Sequence, residues 1–461
     1  MQRIITILAL CLVSTNIYAK NVILFIGDGM GISTITAARI FAGQRQGHPG
    51  EEHQLSFDQF PNVALVKTYN TDAQVPDSAG TITAILSGQK TRRGVIGVSE
   101  QVALNDCDAS LRHEIPSLLE LAEDSGKDTG IVSTTEITHA TPAGTYAHTP
   151  NRGWDNSSNL SPEARSLGCQ DIALQLISTP HGDGPDVILG GGRGQFMPKE
   201  ASDPEHSEKR GLRDDGRDLI AEWLGAAEQR NYLWDAEAFE KALPLTGQVM
   251  ALFEPSHMQF EADRSRDRAG EPSLAEMTTA AIDRLAQNAQ GYFLLVEGGR
   301  IDHAHHFGNA YRALVDTAAL DDAVAAAVAK VDPDDTLILV TADHSHTLTI
   351  SGYPSRGNPI LGKVDPDFSP IPSDVKVLPY TTLGYANGGG HVTPYPDLTD
   401  VDTTDPNYRQ IAAVPMPMET HAGEDVAAFA WGLNSEALRG VIEQSAIFDV
   451  LAAALFPAED D

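Results

Sequence analysis

The chain has 461 residues, 41% of them hydrophobic, and sets 64 Asp and Glu against 32 Lys and Arg, a formal net charge of -32. That apolar content excludes a disordered chain and supports one large α/β domain or two to three smaller ones. So acidic a surface repels nucleic acid and anionic membranes, so neither is an expected partner, and a site for an anionic substrate must bring its own positive charge.

Residues 1–19 read as a secretion signal: Arg3 supplies the charge, Ile4 to Val13 the apolar core, and Ile17-Tyr18-Ala19 a small-residue end. The apolar core is too short to span a bilayer, and the chain ends in Glu459-Asp460-Asp461 rather than in a hydrophobic tail. The expectation is an exported protein, periplasmic or secreted, without a membrane anchor, with residues 20–461 as a single domain. Cys11 falls in the signal, which leaves Cys107 and Cys169 as an even pair in an oxidising compartment. A disulfide between them is expected, with two free buried thiols as the alternative.

Asn21 to Ile26 is an apolar run stopped by Gly27-Asp28-Gly29-Met30-Gly31, and a helical pattern follows from Ile35 to Phe41. Strand, tight turn and helix open an α/β unit and leave Asp28 at the strand's carboxyl end, where open α/β sheets place their ligands. The glycine spacing does not match a dinucleotide fingerprint. Further strands are expected at 63–66, 129–133, 187–189, 292–296 and 336–341, with helices at 115–125, 171–178, 274–289 and 312–331 between them. This alternation implies a mainly parallel sheet with helices on both faces. Two regions break it. Residues 200–235 are polar and read as a surface excursion. Residues 351–415, rich in Gly, Pro, Tyr and Asp, are too long for a plain loop and read as an inserted subdomain.

The chemistry gathers at strand ends. Pro76-Asp77-Ser78-Ala79-Gly80 leads into a helix from Ser78 to Ser87, so Ser78 sits where free N–H groups and the helix dipole favour an anion. Asp77 and Ser78 as plain helix caps are the bland reading. Glu297 ends one strand and Asp302-His303-Ala304-His305-His306 follows. Asp302 and His306, four apart, share a helix face suited to one metal ion. Asp343-His344 ends another strand. His421 follows the insert. His139, Thr141 and Arg152 follow strand 129–133, and a guanidinium such as Arg152 matches two phosphate oxygens. Oxygen and nitrogen ligands without thiolate suit Zn²⁺ together with a harder ion such as Mg²⁺.

These residues resemble the alkaline phosphatase family over nearly the whole mature chain: Gly27-Asp28-Gly29-Met30-Gly31, Pro76-Asp77-Ser78-Ala79, Ala140-Thr141-Pro142-Ala143, Val296 to His306, Thr341 to His344 and Glu419 to Glu424. His139 and His303, Gly144 to His148, Gly168 to Ala173 and a crown-like insert resemble the animal branch. The resemblance implies hydrolysis of small phosphate monoesters by a homodimer, with Ser78 as nucleophile and Arg152 gripping phosphate. It implies two zinc sites, Asp302, His306 and His421 in one and Asp28, Asp343 and His344 in the other. Mg²⁺ would bridge Asp28, Thr141 and Glu297, with His139 and His303 nearby and a third Zn²⁺ as the alternative ion. It also supports pairing Cys107 with Cys169. For the calcium site of the animal branch, Phe253-Glu254-Pro255 and Glu271 sit in about the right places, but the loop between them differs, so calcium is left open. A sulfatase would carry x-Pro-x-Arg after its nucleophile, which Ser78-Ala79-Gly80-Thr81-Ile82 lacks. A phosphodiesterase on this scaffold usually uses Thr and has no counterpart of Arg152. A non-catalytic metal- or phosphate-binding homologue would be expected to have lost Ser78, Arg152 or a ligand.

Overall fold

The computed structural model describes residues 20–365 and 377–457. The expected signal at 1–19 and part of the expected insert lie outside the described residues. The strands in chain order are β1 (Asn21–Gly27), β2 (Asn62–Lys67), β3 (Asp128–Glu136), β4 (Val187–Gly191), β5 (Arg230–Leu233), β6 (Gln248–Leu252), β7 (Tyr292–Glu297), β8 (Thr336–Ala342), β9 (Ser345–His346), β10 (Leu348–Ile350), β11 (Leu383–Gly388), β12 (Ala412–Pro415), β13 (His421–Ala422), β14 (Val426–Gly432) and β15 (Gly440–Glu443). Ten of them form one sheet in the order β15-β2-β14-β8-β1-β7-β3-β4-β6-β5. It is parallel except at β14, which runs antiparallel to both β2 and β8. β1, β7 and β8 are buried at every residue. Such continuous apolar runs suit strands covered by helices on both faces.

Helix α1 (Ile32–Arg45) runs further at both ends than its apolar stripe. Helix α2 (Ser78–Ser87) spans the expected residues and ends at Gly88, whose φ of 73° suits the left-handed turn that stops the helix. Cys107 and Cys169 are joined in a disulfide.

The polar stretch 200–235 is more than a surface excursion. It holds the helix Leu219–Ala226 and strand β5, which pairs with β6. Some of its charges face inward: Arg213 donates to Asp171 at 2.8 and 3.0 Å, and Asp203 accepts from Arg193 at 2.7 and 2.8 Å, all buried. Paired buried ions need no apolar signature, so composition hid this docking. Residues 351–415 contain no α-helix among the described residues and are laced together by the small sheet β10-β11-β12.

Glu123, on the helix Leu118–Asp124, accepts from Thr129 Oγ1 and is almost fully buried. Burial, with Asp186, Asp183 and Asp128 nearby, pushes its carboxyl up to about 8. The folded chain therefore binds this proton more tightly than the unfolded one, and stability is lost as pH rises from the ordinary glutamate range through about 8. Glu123→Gln is expected to match the parent at pH ~5 and exceed it by ~3 kcal/mol at pH ~10. Denaturant titrations at the two pH values measure the difference; a gap that does not grow with pH contradicts it.

Candidate active site

Strand register assembles the site. Gly27 of β1 lies beside Ala342 of β8, so Asp28 and Asp343 emerge together. Ile26 lies beside Glu297 of β7, and Glu297 beside Ser133 of β3. Four carboxyl strand ends thus meet at one edge of the sheet, and α2 presents its first residue to them. Gly29, with φ of 67°, turns its N–H onto Asp343 Oδ1 at 3.0 Å. A Cβ there would meet the His346 ring at 2.3 Å.

Ser78 is 2% exposed, and its Oγ lies 3.5 Å from Asp28 Oδ1 and 3.2 Å from His344 Nε2. Asp77 caps α2 by accepting from Gly80 N at 3.2 Å, and its other oxygen accepts from Arg152 Nη1, also at 3.2 Å. The bland capping role is therefore real, and the same carboxylate also aims the guanidinium.

Three groups flank Ser78. In the first, Asp302 Oδ1 lies 3.3 Å from His306 Nε2 and 3.4 Å from His421 Nε2, and the two Nε2 atoms are 3.2 Å apart. In the second, His344 Nε2 lies 3.4 Å from both Asp28 Oδ1 and Asp343 Oδ2. Each of these imidazoles gives its Nδ1–H to a backbone carbonyl: His306 to Glu419, His421 to Pro76 and His344 to Ser345. That fixes the tautomer and leaves each Nε2 lone pair facing its group, the usual arrangement of a metal-ligating histidine. The third group is oxygen-rich. Asp28 Oδ2, Thr141 Oγ1 and Glu297 Oε1 are buried without a hydrogen-bond partner, as is His139 Nδ1. Orphaned oxygens of this kind fit a hard cation. Asp28, His139 and Glu297 lie within metal-sharing distance, as do Asp28, Asp343 and His344.

Burial pushes the Asp28 carboxyl well above its usual range, and Asp343, Asp302 and Glu297 push the same way. Burial likewise raises Glu297 to about 7 and holds His344 neutral, well below its usual range. The site thus concentrates buried negative charge that only cations can balance.

Every residue assigned from the sequence to the nucleophile, the phosphate grip or the zinc and magnesium sites lies in this region. His303 sits at its edge, its ring 5.5 Å from that of His139. The sequence reading missed three supporting residues. His346 joins Asp302 Oδ1 at 2.6 Å to Glu419 Oε2 at 2.5 Å. Burial lowers His346, but Glu419 and Asp302 overcome this and carry it up to about 10. His257 packs its ring 4.3 Å from that of His303. Adjacency in Asp343-His344-Ser345-His346 was a usable signal for His346, and Glu419 opens the Glu419-to-Glu424 motif; no local pattern marks His257. Beside Asp77 a cavity of about 490 Å³ opens between Val75, Arg93, His306, Met416, Met418 and His421.

Separately, Glu205 and Glu254 come together with His206. Glu205 Oε2, Asp267 Oδ2 and Glu271 Oε2 are buried without a hydrogen-bond partner, with Arg193 Nη2 3.5 Å from Glu205 Oε2. Burial raises Glu254 to about 7 and Glu271 to about 9.

A family model described as alkaline phosphatase matches residues 19–456. The tissue-nonspecific alkaline phosphatase isozyme of Gallus gallus is 47% identical over 448 residues, covering 95% of this chain and 84% of that protein. The fold matches alkaline phosphatase from the Antarctic bacterium TAB5 at 24% identity and a TM-score of 0.65, covering 95% of this chain and 98% of that one. A variant of that enzyme, solved with Mg bound in its M3 site, matches with the same coverage at 24% identity and a TM-score of 0.63.

Proposed function

The chain belongs to the alkaline phosphatase family and is a phosphomonoesterase, and on that premise we propose that it hydrolyses small phosphate monoesters through a covalent phosphoserine on Ser78. The observation that carries this is the placement of Ser78 at the mouth of α2, between two His-carboxylate groups and within reach of the Asp77–Arg152 pair. Ser78 Oγ bonds to phosphorus as the ester P–O bond breaks and the alcohol leaves. Water then attacks the phosphoserine, the Ser78 Oγ–P bond breaks, and inorganic phosphate departs. Arg152 holds two non-bridging oxygens throughout, and the free N–H groups of α2 face the same anion.

Asp302, His306 and His421 would hold one Zn²⁺, Asp28, Asp343 and His344 the other, and Asp28, Thr141 and Glu297 Mg²⁺, with His139 and His303 beside it. When bound, these ions supply the positive charge that lowers the pKa of Ser78 and of the attacking water and neutralises the leaving oxygen. The catalytic demand is large, since uncatalysed monoester hydrolysis is among the slowest reactions enzymes accelerate, by up to ~10²¹. Glu205, Glu254, Asp267 and Glu271 form an all-oxygen set that would suit calcium. The chain acts as a homodimer exported to the periplasm or beyond, and the insert shapes the partner contact and the rim at Met416 and Met418. No helix among the described residues is long and apolar enough to cross a membrane.

His346 would orient Asp302 for zinc. His346→Asn is expected to weaken zinc retention ~10–100-fold in chelator competition; unchanged retention would remove that role.

The test of the reaction is nitrophenyl phosphate hydrolysis at about pH 8 and about pH 10, with a bis-nitrophenyl diester alongside. Monoesterase activity lost in EDTA and regained with Zn²⁺ and Mg²⁺ supports the proposal. A preference for the diester would make the chain a phosphodiesterase on the same scaffold, and tight phosphate retention without turnover a binding protein.

A further inference from the structure

Arg152 is held through its backbone as well as its side chain. Its N–H donates to the Gly94 carbonyl at 2.8 Å. Gly94 N in turn donates to both oxygens of Asp77, at 3.1 and 3.0 Å, the same carboxylate that accepts from the Arg152 guanidinium. Segment 94–97 therefore places both the backbone of Arg152 and the group that aims its side chain. Ile96 and Thr149 exchange backbone hydrogen bonds at 2.9 Å, which lays this segment along the chain leading to Arg152. One side chain clasps the segment from outside. His148 Nδ1–H donates to the Gly97 carbonyl at 2.7 Å, which Ile115 N also reaches at 2.8 Å, and His148 Nε2–H donates to Glu120 Oε1 at 2.8 Å. A carbonyl and an ionised carboxylate can only accept, so the ring carries both protons. Burial lowers His148, but Glu120 outweighs it and raises the ring; burial raises Glu120, but His148 outweighs it and lowers the carboxyl. Glu120 is itself fixed, its other oxygen accepting from Ser117 N at 2.8 Å in the capping box of the helix Leu118–Asp124. Gly97 has a φ of 61°, and a Cβ there would meet the Ala147 carbonyl oxygen at 2.3 Å and His148 Nδ1 at 2.7 Å.

We infer that His148, paired with Glu120, is a positioning residue for the phosphate grip of Arg152. It touches neither the phosphate nor a metal-ligand group; it acts through segment 94–97. Hydrogen bonds to charged groups are roughly twice as strong as neutral ones, so the clasp holds the segment more firmly than backbone pairing alone. Without it, Gly94 shifts the Arg152 backbone and the Asp77 carboxylate together. A two-oxygen grip tolerates little of this, since misplacement by ~1 Å can cost ~10²-fold.

The inference rests on the proposed role of Arg152, and a double-mutant cycle separates the two. Full-length protein, His148→Ala, Arg152→Ala and the double variant are loaded with Zn²⁺ and Mg²⁺, and binding of inorganic phosphate is measured by equilibrium dialysis. Binding rather than turnover is read, so the outcome does not depend on catalysis. His148→Ala is expected to weaken phosphate ~10-fold in the parent and to add nothing in the Arg152→Ala background. Metal content, read by elemental analysis, is expected to stay at the parent value. Glu120→Gln keeps an acceptor for the ring and removes the charge, so its loss is expected to fall between parent and His148→Ala; it serves as the second arm if His148→Ala does not fold. Equal weakening in both backgrounds means a general structural role and overturns the inference, as does no weakening. An Arg152→Ala protein that binds phosphate as the parent does refutes the grip itself, and the role of His148 with it.

Discussion

Replacing Ser78 by Ala is expected to remove phosphate monoester turnover by at least ~10³-fold in the metal-loaded enzyme. The fold should not notice. Ser78 is the first residue of α2, the cap comes from Asp77, and alanine is an excellent helix former. Metal content should stay at the parent value, because the ligand groups keep their own Nδ1–carbonyl supports. Acid quenching during turnover, followed by intact-mass spectrometry, should show a phosphorylated parent and an unphosphorylated variant. A Ser78→Ala protein that keeps activity, or still carries the phosphoryl group, would place the nucleophile elsewhere.

Asp28→Asn is expected to act with opposite signs in the two metal states. Asp28 spends one oxygen near His344 and Ser78, while the other is buried without a partner in the third group. One carboxylate therefore serves two groups, and an amide cannot serve both as an anion. The loaded variant should lose ~10³-fold in activity, together with the ions of both groups, read by elemental analysis. In EDTA the order reverses. Burial and the neighbouring Asp343 and Asp302 push the Asp28 carboxyl upward, so ionising it costs the empty fold stability. Removing that charge should stabilise the metal-free chain by ~1–2 kcal/mol. Thermal unfolding with and without EDTA checks both signs, and a variant destabilised in both states would refute the charge-balance account.

The active-site residues were legible because each follows a local signal. Asp28, Glu297 and Asp343 follow apolar strands, and Asp302 and His306 share one helix turn. His346 stood beside recognised residues, yet its service to Asp302 depends on the antiparallel pairing of β9 with β13, which also brings His421 in. Glu419 reaches His346 from across the insert, 73 residues away. Strand β14 was missed because Val426-Ala427-Ala428-Phe429-Ala430 is alanine-rich, and β6 because five residues with Met and Ala read equally as helix.

By itself the sequence determined the α/β alternation, the catalytic motifs at strand ends and the family resemblance, since these rest on periodicity and on residues adjacent in the chain. Only the folded chain set which strand ends are neighbours and which imidazole nitrogen faces each ligand group. Those facts depend on sheet register and on contacts across tens to hundreds of residues, where no local energy term favours one partner over another.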